Sequence, residues 1–139
     1  MNPAAIGRRA WQLYRLLITL IALACVAQIF LAGRGVFAIR GDAALDDQSS
    51  LDPHRVLGNV IAVATLVAVV LAVVLWDKRL VLWTVVMAVL ATVVQSVTAT
   101  DEHPWIAGLH PVSGVAILGI SGSLAHRAWR RGGTAEAAA

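Results

Sequence analysis

The stretch HRVLGNVIAVATLVAVVLAVVLW, from His54 to Trp76, decides the fold. After Arg55 it carries no charged side chain, and it consists mainly of Val, Leu and Ala. A helix needs about 20 apolar residues to cross the hydrocarbon core of a bilayer, and this stretch has that length. Because lipid offers no hydrogen-bond partners to the backbone, we expect the segment to be helical.

Three further stretches have the same character, and the whole composition agrees with them. Hydrophobic residues make up 59% of the chain and charged residues 14%, against about 25% charged in an average soluble domain. A water-soluble globule is therefore excluded. The sequence predicts an all-α integral membrane four-helix bundle, built as two helical hairpins in a single domain (1–131) with a flexible cytoplasmic tail (132–139). The predicted spans are residues 13–33, 54–76, 80–100 and 110–129, with residues 34–53 as the longest loop.

The basic residues lie mainly on one side of this topology. Lys and Arg residues in loops mark the cytoplasmic side of membrane proteins, so both termini are expected to face the cytoplasm of a cell membrane. No basic stripe with interleaved aromatic residues is present, so no nucleic acid partner is predicted. Three arginines lie on the outer side (Arg34, Arg40, Arg55), and the other eight basic residues lie on the inner side (Arg8, Arg9, Arg15, Lys78, Arg79, Arg127, Arg130, Arg131).

The two predicted hairpins share a weak repeat. The first and third spans end in A-x-V-x-Q, which places Gln28 and Gln95 near their outer ends. The second and fourth spans begin with H-x-V-x-G, which places His54 and His110 at their first turns. Gln and His are rare inside spans, and internal duplication is a common way to build membrane bundles. The pattern indicates two equivalent hairpins.

Two histidines at equal depth on diagonal helices suit axial ligation of a haem iron. Cofactor sites in bundles are built from side chains on facing helices, and haem iron accepts His ligands. Gly58 and Gly114 each lie four residues after a histidine, on the same helix face, where the missing side chain would leave room for a porphyrin edge. The alternative is that the histidines are interfacial and the glycines serve helix packing.

For the other polar residues near the predicted site, the sequence leaves alternative roles. Arg55 would pair either with a haem propionate or with Asp52. Gln28 and Gln95 would donate to a haem edge or a histidine, or would bond one helix to another. A copper or zinc site from His54, His103 and His110 is a further alternative, since imidazole suits both metals.

The residues resemble one four-helix half of the haem A synthase family. His54-Arg55 matches the His-Arg that opens one span there, Gln95-Ser96-Val97-Thr98 resembles its Gln-containing region, and His110 followed by Gly114 matches its second His element. The segment from Phe30 to Phe37 also resembles the end of the first span in an uncharacterised family of small four-span proteins of actinobacteria. The synthase resemblance implies a haem-binding bundle. Leu51 stands where the synthases have a Glu and their second half is missing, so haem A synthesis is not expected.

Two functions follow from the sequence. The first is a cytochrome b-like membrane protein that binds one haem b through His54 and His110 near the outer leaflet, for electron transfer or haem handling. The sequence favours a role without catalysis but leaves an enzymatic reaction open. The second is a non-catalytic subunit or assembly protein of a larger complex without a cofactor. Expected partners are the lipid bilayer, respiratory or assembly proteins, or a second copy of the chain.

Overall fold

Four long helices form the molecule in the computed structural model, which describes the backbone of residues 3–41, 47–99 and 103–136 and the side chains of residues 5–38, 49–99 and 103–131. The third of these helices changes type along its length, and a single helical turn precedes the fourth. No strand occurs among the described residues, which confirms the predicted all-α four-helix bundle. The elements are α1 (Pro3–Gly41), α2 (Asp47–Val74), α3 (Lys78–Val89), a π-helical turn (Leu90–Val94), α4 (Gln95–Thr98), α5 (Pro104–Ala107) and α6 (Leu109–Glu136).

All four helices are long and apolar enough to cross a membrane. Their most apolar windows have mean hydropathies of 2.5, 2.7, 2.2 and 1.4, in chain order. At most 28% of any of these windows is buried inside the bundle, so most of each apolar surface faces outward. An outward apolar surface of this extent suits contact with lipid, as in a multi-pass membrane protein.

The first two helices extend beyond the predicted spans. α1 continues to Gly41 and α2 begins at Asp47, so most of the predicted loop at residues 34–53 is helical. Gly35 permits a close approach of the two extended helices, because a Cβ atom there would lie 2.5 Å from Leu51 Cδ2 and 3.1 Å from the carbonyl oxygen of Ser50. Without that atom the two helices approach closely and remain packed past the apolar segments. α6 likewise continues to Glu136, into the predicted tail.

The turn between α2 and α3 is short and capped. Trp76 has a φ of 53°, a left-handed conformation that ends α2, and Asp77 follows as the N-cap of α3. The Asp77 carboxylate accepts hydrogen bonds from the backbone amides of Arg79 (3.0 Å) and Leu80 (3.1 Å), which are free at a helix start. Arg131 near the end of α6 forms an ion pair with the same carboxylate.

The helices are arranged so that α2 and α6 lie on one diagonal of the bundle. α1 packs against both α2 and α6, and the third span also packs against both. The other diagonal is bridged where Tyr14 of α1 meets Thr84 of α3, with 2.8 Å between their oxygens. The Thr84 hydroxyl donates to the carbonyl of Leu80, so the phenol donates to Thr84.

The two ends of the bundle differ in chemistry. We call the end formed by residues 8–15, 76–79 and 126–131 the basic end, and the opposite end, where α2 and α6 begin, the histidine end. In between, the core consists mainly of small and β-branched side chains, with Ala68, Ala72, Thr65 and Ser121 fully or nearly fully buried. Small residues allow close helix contact, which drives association where lipid removes the hydrophobic gain.

Candidate functional site

Two imidazole rings meet across the α2–α6 diagonal at the histidine end. His54 lies in the second turn of α2 and His110 in the first turn of α6. Their ring centroids are 6.1 Å apart with an angle of 55° between the ring planes, and both side chains are half-buried. The sequence predicted two histidines at one level on diagonal helices, and this arrangement is confirmed.

The hydrogen bonds of the two imidazole rings determine which ring nitrogens could bind a metal. His54 Nδ1 lies 3.2 Å from the backbone carbonyl oxygen of Gln28, and His110 Nδ1 lies 3.4 Å from Thr98 Oγ1. A carbonyl only accepts, and the Thr98 hydroxyl already donates to the carbonyl of Val94 at 2.8 Å. Both Nδ1 atoms are therefore donors, and in the neutral rings both Nε2 atoms carry a free lone pair.

The two glutamines hold the backbone beside the histidines. Gln28 Nε2 donates to the carbonyl oxygen of His54 at 2.8 Å. Gln95 Nε2 donates to the carbonyl oxygen of His110 at 3.2 Å and to Ser113 Oγ at 3.1 Å. Of the alternatives raised by the sequence, the glutamines thus bond helix to helix. Each holds the helix turn that carries a histidine.

The glycines make room for these glutamines. A Cβ atom on Gly58 would lie 2.9 Å from Gln28 Nε2, and one on Gly114 would lie 3.4 Å from Gln95 Nε2. The space over each glycine is thus filled by a carboxamide, and the prediction that it leaves room for a porphyrin edge is wrong in this structure. In each hairpin the Gln carboxamide bonds the His carbonyl and lies over the Gly, so the weak sequence repeat corresponds to a repeated structural unit, although the ring partners of the two histidines differ.

A π-helical turn positions Gln95, and the sequence analysis missed it. The backbone amide of Gln95 donates to the carbonyl of Leu90, five residues earlier. Such turns disturb the regular i to i−4 pattern and occur often at functional sites. Thr92, Ser96 and Thr98 each donate a hydroxyl hydrogen bond to the carbonyl four residues earlier. This concentration of hydroxyl residues within seven positions was the available signal, because such side chains bond to helix carbonyls and bend helices.

One buried acceptor at the site lacks a partner. Gln28 Oε1 is buried without a hydrogen bond among the described residues, although the Nε2 atom of the same side chain is well bonded. A buried acceptor without a partner costs about 1–3 kcal/mol. A donor from outside the described residues would remove that cost.

The remaining predicted residues lie away from the pair. Arg55 is exposed and forms an ion pair with Asp52 at 3.6 Å, which is one of the two roles that the sequence left open. His103 is exposed, and the part of the chain that the structure describes contains no group of three or more His, Cys, Asp or Glu side chains able to hold a metal. The alternative of a copper or zinc site from His54, His103 and His110 is therefore wrong.

The separation of the rings suits one metal ion between them. Imidazole nitrogen binds transition metals at about 2 Å, so two rings on opposite sides of one ion have centroids roughly 6 Å apart. Two histidines are too few to form a closed metal site alone. They suffice for haem, because the porphyrin supplies the other nitrogen ligands and the protein supplies the axial ones.

The fold and this site define a class of protein: an all-α, multi-pass membrane four-helix bundle with a histidine pair at one end. Comparisons with protein-family models, with curated proteins and with solved structures find no significant match.

Proposed function

We propose that the chain is a cytochrome b-like membrane protein that binds one haem b between His54 and His110. The observation that carries this proposal is the meeting of the two rings, with centroids 6.1 Å apart and Nδ1 of each ring hydrogen-bonded to a residue of a neighbouring helix. Histidines that bind metals usually donate their other N–H to a carbonyl or similar acceptor, and this fixes the tautomer. The resemblance of the sequence to half of a haem A synthase supports the same proposal.

In this proposal the residues around the rings act as positioning residues. Gln28 and Gln95 hold the backbone carbonyls of the two histidines, and the Gln28 carbonyl and Thr98 hydroxyl hold the rings. Arg55, which is at the rim, would exchange Asp52 for a haem propionate. The Gln28 and Gln95 carboxamides lie over Gly58 and Gly114, so the carboxamides rather than the glycines would help to hold the haem.

Bound haem would supply a one-electron iron couple. With a histidine on each face the iron keeps no open position, which favours electron transfer or haem handling over reaction with oxygen. The excess of basic residues at the basic end favours a topology with both termini in the cytoplasm of a cell membrane. The histidine end would then lie near the outer leaflet, where respiratory or assembly proteins, or a second copy, would be the electron partners.

A second candidate is a membrane subunit or assembly protein without a cofactor. The observation that favours it is the filling of the space over Gly58 and Gly114 by protein side chains. Both hairpins are closed by these contacts without any ligand. The first candidate predicts a haem chromophore that depends on the histidine pair, and the second predicts no chromophore.

Absorption spectroscopy decides between them. The chain is expressed with added haem precursor, purified in mild detergent, and measured oxidised and reduced. We expect a Soret band, resolved α and β absorption bands in the reduced protein, and one haem per chain. His54→Ala and His110→Ala should each abolish low-spin spectra, whereas His103→Ala and His126→Ala, matched changes at exposed histidines, should leave them intact. A well-folded protein without a Soret band, or spectra that survive both His54→Ala and His110→Ala, would refute the proposal.

A further inference from the structure

A groove lies on the outer surface between α3 and α6, apart from the histidine site, and it is lined mainly by apolar residues with an arginine at one end. It encloses about 450 Å³, within the usual size range of ligand sites. Its floor on α6 consists of small exposed residues, Ala116, Gly119 and Ser123, and a Cβ atom on Gly119 would meet nothing within 4 Å. Trp83 of α3 forms the opposite wall, and Arg127 lies at one end.

The length and direction of the groove match one leaflet of a bilayer. From Ala116 to Arg127 a helix rises about 16 Å, roughly half of a hydrocarbon core about 30 Å thick. The groove therefore runs from the middle of the apolar segment to the basic end. A surface of this shape can hold an acyl chain whose headgroup lies at the level of Arg127.

The end of the groove is basic. Arg127 also lines an adjacent small hollow with Arg79 and Arg131. One acid, Asp77, lies in that hollow, and it is already paired with Arg131. Two exposed guanidinium groups, those of Arg79 and Arg127, remain in excess at the hollow. Arginine binds phosphate through paired N–H groups, and basic pockets between membrane helices bind anionic headgroups.

From these observations we infer that the α3–α6 groove is a binding site for an anionic phospholipid, with an acyl chain along Gly119 and the headgroup phosphate on Arg127 and Arg79. The apolar floor of the groove suits the acyl chain, and the basic end suits the anionic headgroup. A zwitterionic lipid carries a cation that offsets its phosphate and has no net negative charge, and a soluble phosphate lacks the chain. This inference does not depend on haem binding.

Lipid titration of the purified chain in detergent tests the inference. Native mass spectrometry with dioleoyl phosphatidylglycerol should show one retained lipid per chain, bound about tenfold more tightly than dioleoyl phosphatidylcholine. Glycerol phosphate should not compete. Arg127→Gln should weaken the binding of the anionic lipid by about tenfold, the loss expected for one charged hydrogen bond, whereas the matched change Arg130→Gln outside the groove should not.

A second variant tests the apolar part. Gly119→Leu adds a side chain to the groove at a position where a Cβ atom meets nothing within 4 Å, and it should lower retention of both lipids. Gly33→Leu on α1, where a Cβ atom also meets nothing within 4 Å, should not. Equal affinity for the two lipids, competition by glycerol phosphate, or unchanged binding in Arg127→Gln would overturn the inference. So would a dimer that Gly119→Leu dissociates, because a second copy would then occupy the groove.

Discussion

Gly58→Ala and Gly114→Ala should have different effects on the free energy of unfolding, because the two Gln–His–Gly units differ in how tightly the glycine is packed. A methyl group at residue 58 would lie 2.9 Å from Gln28 Nε2, which is too close for any real contact. The flexible Gln28 side chain can move, but it then leaves the His54 carbonyl that it holds at 2.8 Å. At Gly114 the same methyl would lie at 3.4 Å, an ordinary contact distance, and Gln95 keeps its bonds.

The magnitudes follow from two opposing effects. Replacing Gly by Ala inside a helix stabilises it by about 0.8–1.0 kcal/mol. Losing an interhelical hydrogen bond in a membrane protein costs about 0.6 kcal/mol on average and up to about 1.7 kcal/mol. Gly58→Ala should therefore leave the free energy of unfolding nearly unchanged or lower it, and Gly114→Ala should raise it. The two variants should differ by about 1 kcal/mol.

A double-mutant cycle isolates the contact. Once Gln28→Ala has removed the carboxamide, Gly58→Ala meets no obstacle and should stabilise the protein by the full helix-propensity gain. The coupling between positions 28 and 58 should thus equal the lost hydrogen bond, about 0.6–1.7 kcal/mol. Unfolding in mixed micelles, followed by far-UV circular dichroism and by the fluorescence of the five tryptophans, measures all four species. Equal effects of the two glycine substitutions, or additive effects in the cycle, would refute the reasoning.

Three other substitutions test the fold. Arg131 and the first amides of α3 hold the pKa of Asp77 below its ordinary value of 3.8. The ionised carboxylate therefore stabilises the fold above pH 3.8, and this contribution disappears as the pH falls through the lowered pKa. The acid-induced loss of stability between about pH 5 and 2, measured by thermal unfolding, should be smaller in Asp77→Asn. Tyr14→Phe removes the phenol that donates across the core and should lower the free energy of unfolding by about 0.6–1.5 kcal/mol in micelles, and an unchanged value would contradict that hydrogen bond. Gly35→Ala should cost about 1–3 kcal/mol through overpacking, as seen in the unfolding midpoint, whereas Gly33→Ala, which meets nothing within 4 Å, should not destabilise the protein.

The membrane helices and the histidine pair could be predicted because each depends on local sequence. An apolar run fixes a span through its length alone, and a short connection makes neighbouring spans antiparallel. With spans of similar length, His54 and His110 follow at the same level. Their diagonal placement needs only the ordinary order of helices in a bundle.

What could not be predicted depends on contacts between distant residues. α1 continues to Gly41 and α2 begins at Asp47, with the two helices in close approach at Gly35, and no local pattern reveals that approach. The role of Gly58 depends on the side chain of Gln28, which arrives from another helix. The π-helical turn before Gln95 has no compositional rule beyond its cluster of hydroxyl residues.

The Tyr14–Thr84 hydrogen bond and the histidine ring contact have a mechanical consequence. Four parallel rods in a square array can shear into a rhombus without stretching any side, unless a diagonal is braced. Here Tyr14 and Thr84 brace one diagonal near the basic end, and the imidazole rings meet across the other at the far end. A ligand that spreads the rings therefore widens the array at one end only, while the strut at the other end keeps its cross-section.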